Sequence, residues 1–278
     1  MFSLDGYRAL RTDGGVVRRT DRAVLAVTGK DRADWLQGLV TNDVAALAPG
    51  DTRYAAYLTP QGRMITDLNV VARPDRLLLD VPAQLAGALR ERLDGLIFAE
   101  DAQVLDAPSL DVWTAIPPGG GPFVDAIVAA GESHGFPYPE IDFETFEVAR
   151  IERGIPRFLV DMDTETIPLE AGIEDRAISF TKGCYVGQEV IVRVTHRGGG
   201  RVAKKLVRWQ ADASAAIVPL PGARISADER DIGRVTSAVF SPGKAAVVGL
   251  GYVHRDFVEA GTEVTVVWND ARSKVTIE

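Results

Sequence analysis

The residues of this chain best suited by type and setting to do chemistry lie in one octapeptide, KGCYVGQE, from Lys182 to Glu189, which holds the single cysteine, Cys184. A cysteine acts as nucleophile or metal ligand through its thiolate, a form that neighbouring positive charge favours. Lys182 and Arg193 supply such charge nearby in the sequence. A thiolate there could ligate a metal cluster transiently, exchange with a partner's disulfide, or attack an electrophile. Gly183 and Gly187 permit close backbone approach to a ligand or partner, and Gln188 and Glu189 add hydrogen-bonding groups that fix the loop. A lone cysteine is also a common small core hydrophobe, and residue type alone leaves that reading open. From Arg193 to Arg208 the cations Arg193, Arg197, Arg201, Lys204, Lys205 and Arg208 occur with no acid among them. Such a run is either a solvated basic face or a patch that attracts anionic ligands, RNA or protein.

The elements that must position these residues are those of an ordinary folded protein. At 278 residues, 46% hydrophobic and 25% charged, the chain suits two or three domains with shared cores. Its net charge of -8 argues against general nucleic-acid binding, which needs a basic footprint. One cysteine forms no internal disulfide, which points to a reducing compartment. The start lacks a secretory signal and no apolar run approaches the roughly 20 residues that span a bilayer, so a cytoplasmic protein without membrane attachment is expected. A phosphate loop is absent, Gly249 and Gly251 read as strand features rather than a dinucleotide fingerprint, and His134, His196 and His254 are too scattered for a zinc pair. No metal site is expected.

Apolar patterning predicts strands over Ala23 to Val27, Tyr54 to Leu58, Met64 to Val71 and Leu77 to Val81, with TPQGR (Thr59 to Arg63) as a turn. Asp31 is placed to cap a helix carrying Trp35, Leu36, Leu39 and Val40. Leu85, Leu89, Leu93 and Leu96 form the stripe of a second helix. PPGGGP, from Pro117 to Pro122, reads as a loop at a subdomain boundary, Phe123 to Ala130 as a short helix, and Glu144 to Arg153 as a helix stopped by Gly154 and Pro156. RGGGR, from Arg197 to Arg201, reads as a hinge. Beyond it, β-branched runs over Lys205 to Trp209, Asp231 to Phe240, Ala245 to Val253, Glu263 to Trp268 and Ser273 to Ile277 predict a small antiparallel barrel or sandwich.

Five segments occur in a telling order: WLQGLVTNDV (Trp35 to Val44), TPQGRMITDL (Thr59 to Leu68), ARIERGIP (Ala149 to Pro156), IPLEAGI (Ile167 to Ile173) and KGCYVGQEVIVR (Lys182 to Arg193). Together they resemble the YgfZ and GcvT-like tetrahydrofolate-binding superfamily over nearly the whole chain, with the cysteine segment resembling the signature of its YgfZ branch. The resemblance implies an α+β fold, a GcvT-like ring of three subdomains with mixed antiparallel sheets and helices, plus a C-terminal all-β barrel. It divides the chain into a folate-binding region, 1–199, and a barrel, 200–278. Within the first, 1–49 with 140–199 makes subdomain A and 50–139 subdomain B.

The resemblance also implies a function in iron-sulfur cluster assembly, maintenance or repair, with client or assembly proteins as partners and a reduced folate, tetrahydrofolate or a relative, in a central channel. Glu170 matches the glutamate with which folate-binding relatives hold the pterin, whose amide-like face presents two donors to a carboxylate. Lys182, Gly183, Tyr185, Gly187, Gln188, Glu189 and Arg193 are assigned with it to binding. The basic run could attract a folate tail. Asp67 matches an acid that one-carbon transferases keep near the reacting folate nitrogen, so Asp67 and Cys184 are the candidate catalytic residues. Thr66 stands where those transferases have a second, adjacent acid. Whether the protein is an enzyme stays open: an accessory factor is the first reading, and an aminomethyltransferase like the glycine cleavage T-protein the alternative.

Overall fold

The computed structural model describes residues 2–197, 199–212, 217–269 and 271–278, so Gly198 of the expected hinge lies outside the described residues. The chain forms two compact units, Met1–Thr145 with Asp175–Gln188, and Phe146–Glu174 with Glu189–Glu278.

In chain order the first unit holds α1 (Leu4–Thr12), β1 (Gly15–Arg18), β2 (Arg22–Thr28), α2 (Arg32–Gln37), β3 (Thr52–Leu58), β4 (Met64–Ala72), β5 (Leu77–Pro82), α3 (Ala86–Asp94), β6 (Gln103–Asp106), β7 (Leu110–Ile116) and β8 (Val124–Ala129). Its strands make two antiparallel sheets, ordered β3-β4-β5-β2-β6 and β1-β7-β8. Strand β2 reads as an unbroken apolar run because both its faces are buried. Leu25 and Val27 join a core with Leu36, Leu68 and Leu79, while Val24 and Ala26 pack with Leu78 of β5 and Val112 and Ile127 of the smaller sheet. Successive strand side chains point to opposite faces, so one strand serves two cores. Helix α3 adds Leu89 and Leu93 to the first of these.

Two expectations are corrected here. The segment predicted as a helix from Phe123 to Ala130 is strand β8, paired antiparallel with β7 over Leu110↔Ala129 to Ala115↔Val124. Its Phe123, Ile127 and Ala130 mimic helical spacing, but a six-residue segment with β-branched Val124, Ile127 and Val128 gains more from a ladder than from an isolated helical turn. PPGGGP is accordingly the connection between β7 and β8 within one unit, rather than a boundary.

The second unit carries most of α4 (Phe143–Glu152), the first residue of α5 (Glu174–Ala177), all of α6 (Gln188–Val192) but its first residue, β9 (Lys204–Ala211), β10 (Arg224–Ala227), β11 (Arg230–Ser241), β12 (Ala246–His254), β13 (Glu263–Trp268) and β14 (Ala271–Ile277). The six strands close into an antiparallel barrel, β10-β11-β12-β9-β14-β13, which decides for a barrel where the strand runs leave barrel or sandwich open and adds β10, a strand those runs do not include. Val207, Trp209, Val247, Val253, Val266 and Val275 fill it. Gly249 is indeed a strand feature: it faces Trp209 across β12 and β9, where a Cβ would collide with the indole. Outside the barrel Ile151 of α4 packs on Val248 and Leu250.

Beside that contact lies the polar centre of this unit. Arg150, 1% exposed, donates to Asp161 Oδ2 at 2.7 Å, to both Glu147 oxygens at 2.8 and 2.7 Å, and to Ser237 Oγ at 3.0 Å. Asp161 also accepts the hydroxyls of Thr236 and Ser237, each at 2.6 Å. The ARIERGIP segment thus owes its arginine to a tie between α4 and β11. None of the described helices is long and apolar enough to cross a membrane.

Candidate functional site

The cysteine loop has no regular structure between Ile178 and Gly187, and hydrogen bonds to the WLQGLVTNDV segment give it its shape. Thr41 donates from Oγ1 to Ala177 O at 2.6 Å and accepts from Ala56 N, while Asn42 Nδ2 donates to Arg176 O and Tyr54 O, both at 2.8 Å. The Ser179 and Val186 amides donate to Thr41 O and Gly38 O. Lys182 completes the lacing: its ammonium donates to Gln37 O at 2.6 Å, Val40 O at 2.7 Å and Asn42 O at 2.9 Å. An ammonium has three protons, so all of them go to backbone. Burial pulls Lys182 down to about 8, which leaves it mostly charged at neutral pH. Lys182 therefore fastens the loop and is not available to pair with the thiol in the way its sequence position suggests.

The remaining motif residues divide in the same way. Tyr185 is buried, with Lys182 Nζ 5.3 Å from its ring centre, and burial pushes its phenol up to about 12. Gly187 has φ +84°, and a Cβ there would lie 2.6 Å from Thr59 O of the TPQGR turn. Its close approach is thus to this chain's own backbone, where a ligand or partner was expected. Around Gly183 a Cβ would meet nothing within 4 Å and the backbone is not left-handed. Gly187→Ala is accordingly expected to cost about 1–3 kcal/mol in chemical denaturation, and Gly183→Ala to leave stability within about 0.5 kcal/mol. Gln188 is half-buried and opens α6, Glu189 is exposed. Cys184 itself is exposed, which removes the core-hydrophobe reading.

Asp67 sits on β4 in a different setting. It is 5% exposed; Arg22 Nη1 donates to its Oδ1 at 2.9 Å and Tyr54 OH to its Oδ2 at 3.0 Å. Arg22 also donates through Nε to Asp80 Oδ1 at 2.6 Å and through Nη2 to Asp80 O at 2.7 Å. Asn69 then bridges Asp80 to Asp125, and Thr114 donates to Asp125 at 2.5 Å, carrying the network from one sheet to the other. Burial would pull the Arg22 guanidinium down, but Asp80 and Asp67 outweigh it and hold it charged. Burial, and then Asp67, push the Tyr54 phenol well above its usual value. Burial likewise raises the Asp80 carboxyl, with Asp125 adding to the effect and Arg22 opposing it. Thr66, fully buried, donates to Asp67 O at 2.9 Å.

Glu170 and Arg193 belong to the second unit. The Glu170 side chain is 13% exposed, with Lys204 Nζ 3.9 Å from its Oε2, and its carbonyl accepts from the Leu206 amide at 2.7 Å. Lys204 lies over the Tyr252 ring at 4.9 Å. The Tyr252 hydroxyl is buried beside Thr166, and no described group makes it a hydrogen bond of ordinary geometry. A largely buried carboxylate with a cation and an unsatisfied phenol in the same group is a donor and acceptor set that fits the polar face of a pterin. Arg193 is exposed, at the end of α6. Among the described residues no group of three or more His, Cys, Asp or Glu side chains could hold a metal ion.

Sequence reasoning missed Arg22, Tyr54 and Tyr252, the residues that give Asp67 and Glu170 their settings. A signal existed for the first: Arg22, Asp67 and Asp80 are charges of opposite sign inside or beside apolar strands, where a charge is tolerated when paired.

Residues 3–87 match the family model described as the GCVT N-terminal domain, and residues 204–278 that of the glycine cleavage T-protein C-terminal barrel domain. An uncharacterized protein of Haemophilus influenzae is 29% identical over 232 residues, covering 79% of this chain and 82% of that protein. A mitochondrial iron-sulfur cluster assembly factor IBA57 homolog of Neurospora crassa is 26% identical over 233 residues, 66% of this chain and 51% of the relative. The chain thus spans about half the length of that relative. The crystal structure of glycine cleavage system aminomethyltransferase T from Bartonella henselae is similar with a TM-score of 0.83 at 18% identity, covering 99% of this chain and 88% of that one, a likeness of fold.

Proposed function

The chain is of the GcvT-like aminomethyltransferase-fold family and has IBA57 iron-sulfur assembly factors among its homologues, and on that premise we propose that it is a folate-binding accessory factor of the YgfZ type for iron-sulfur cluster assembly, maintenance or repair. The observation that carries this reading is the division of labour in KGCYVGQE. Lys182, Tyr185 and Gly187 hold the loop against α2 and the TPQGR turn, and Cys184 is left exposed on it. A thiol presented on a fastened loop suits transient contact with a cluster, as substrate, or with a client or assembly protein. One cysteine falls short of the four thiolates a cluster usually takes, so the partner supplies the others. Glu170, with Lys204 and Tyr252 beside it, is the proposed anchor of a reduced folate. A reducing compartment such as the cytoplasm is its proposed location, and the proposed division is a folate-binding region over 1–199 and a barrel over 200–278.

The one-carbon transferase alternative asks Asp67 to exchange a proton with the folate. Both its oxygens already accept from Arg22 and Tyr54, and Thr66 replaces the second acid, so the accessory role is preferred. The test pairs two variants. Cys184→Ala is expected to leave tetrahydrofolate affinity in calorimetric titration nearly unchanged while lowering the activity of iron-sulfur enzymes in cells that depend on this protein. Glu170→Ala is expected to weaken that affinity about ten- to a hundredfold, the loss of a charge-assisted hydrogen-bond pair. Iron-sulfur enzyme activities unaffected by Cys184→Ala would remove the proposed role, and methylene-tetrahydrofolate formation from a lipoyl donor would favour the transferase.

A further inference from the structure

The barrel opens at one end into a cavity of about 390 Å³ walled by Trp209, Val247, Val266 and Trp268. Ile217, which is exposed, borders it, so the cavity reaches the surface. Strand alternation explains why space is left there. Of the inward positions, Ala211, Ala271 and Ser273 lie toward this end and are small, whereas Val207, Val253 and Ile277 fill the lumen further in. The wall also carries an unused donor. Trp209 is 1% exposed, and its Nε1–H makes no hydrogen bond among the described residues. A Cβ at Gly249 would come 2.5 Å from Trp209 Cε2, the carbon that bears this nitrogen, so the N–H edge of the ring lies inside the barrel over Gly249. A buried indole N–H ordinarily finds a partner, and one left without it costs free energy. An indole nitrogen only donates, so whatever satisfies it is an acceptor. The charged residues that border the cavity, Asp212, Arg272 and Lys274, are all exposed, which leaves the interior to an uncharged body.

We propose that this mouth of the barrel binds a small, uncharged heteroaromatic molecule, monocyclic or bicyclic, whose ring acceptor takes the Trp209 N–H. The volume lies in the range of small-molecule pockets, about 300–1,000 Å³, and barrel mouths are among the places where such pockets form. The flat shape follows from the wall. Trp209 and Trp268 offer aromatic rings, and ring pairs gain more than the area they bury. Gly249 has a part in this, since any side chain there would displace the indole that carries the donor. The cavity has no lining residue in common with the folate anchor Glu170 or with the cysteine loop, so this site stands or falls separately from the proposed function.

The test follows the indole N–H signals of the four tryptophans by proton–nitrogen NMR while quinoline or naphthalene is titrated into the full chain. The two probes share one shape, and only quinoline has an acceptor. Quinoline is expected to move the Trp209 signal downfield and to shift that of Trp268, while Trp35 and Trp113 of the first unit stay in place. It is expected to bind about three- to tenfold more tightly than naphthalene, the worth of one hydrogen bond. Trp209→Phe should abolish that preference. Because Trp209 is fully buried and its loss could unsettle the barrel, Ala271→Phe is the second variant: Ala271 is half-buried at the cavity, and the larger ring is expected to fill the mouth and abolish binding of both probes with circular dichroism unchanged. A Trp209 signal that does not move at millimolar quinoline overturns the proposal, as do equal affinities for the two probes or binding that survives Ala271→Phe. Trp209 and Trp268 signals that shift when the protein alone is diluted would show the mouth covered by a second copy of the chain, and would overturn it equally.

Discussion

Arg22→Met is expected to lower the folding free energy by about 3–5 kcal/mol at neutral pH, the cost of removing one partner from a buried ion pair. Arg22, with a side chain 7% exposed, is the cation bonded to Asp67 and Asp80, which are 7% and 3% exposed. Methionine roughly fills its volume and leaves two carboxylates buried without it. The loss should depend on pH with a definite sign. Burial already raises the Asp80 carboxyl above its usual 3.8, so the native state keeps this proton to higher pH than the unfolded chain does. Such a group contributes stability that is present in acid and declines as pH rises above about 4. Without Arg22 the Asp80 carboxyl rises further, and the decline becomes steeper. Urea denaturation at about pH 5 should therefore show a smaller gap between variant and wild type than at about pH 7. A gap independent of pH would mean that Arg22 acts through packing alone. Because Arg22 and Tyr54 occupy both oxygens of Asp67, the same experiment asks whether that acid is chiefly structural.

Arg150→Met should be as costly, about 3–5 kcal/mol, and its effect falls on the second unit. It leaves Asp161, whose side chain is fully buried, without its arginine and with neutral donors such as the hydroxyls of Thr236 and Ser237 and the Arg157 amide. The double variant Arg150→Met with Asp161→Leu removes both charges, and it is expected to be less destabilised than the sum of the single variants by about 1–3 kcal/mol. Strict additivity would show that the two charges do not stabilise each other. Loss of this tie loosens α4 from β11, and with it the Gly154 turn over which Arg208 runs.

Much of the fold was legible because it follows local rules. Five of the six barrel strands, all but β10, announce themselves by β-branched runs between Gly and Pro signals, and β2 to β5 by apolar runs of strand length. The Leu stripe of α3 has the spacing of a helix face. Phe123 to Ala130 reads as a helix because so short a segment satisfies helical and strand patterns equally well, and the pairing with β7 that decides between them is a non-local fact. The residues of the candidate site were legible by type and their roles were not. Lys182 looked like a partner for Cys184 because it is two residues away. In the folded chain it reaches carbonyls some 140 positions distant in sequence.

By itself the sequence determined the α+β composition, the all-β segment at its end, the likeness to folate-binding proteins and the segment that carries the thiol. These depend on periodicity, turn chemistry and short motifs, which are properties of neighbouring residues. Only the tertiary structure decided that Asp67 lies between Arg22 and Tyr54, that Gly187 makes room for Thr59, that Lys182 is an anchor, and that the Trp209 N–H has no partner among the described residues. The physical reason is common to all four. The free energy of a charge, of a buried donor or of a missing Cβ is set by what surrounds it in space, and those surroundings come from strands and loops far apart along the chain.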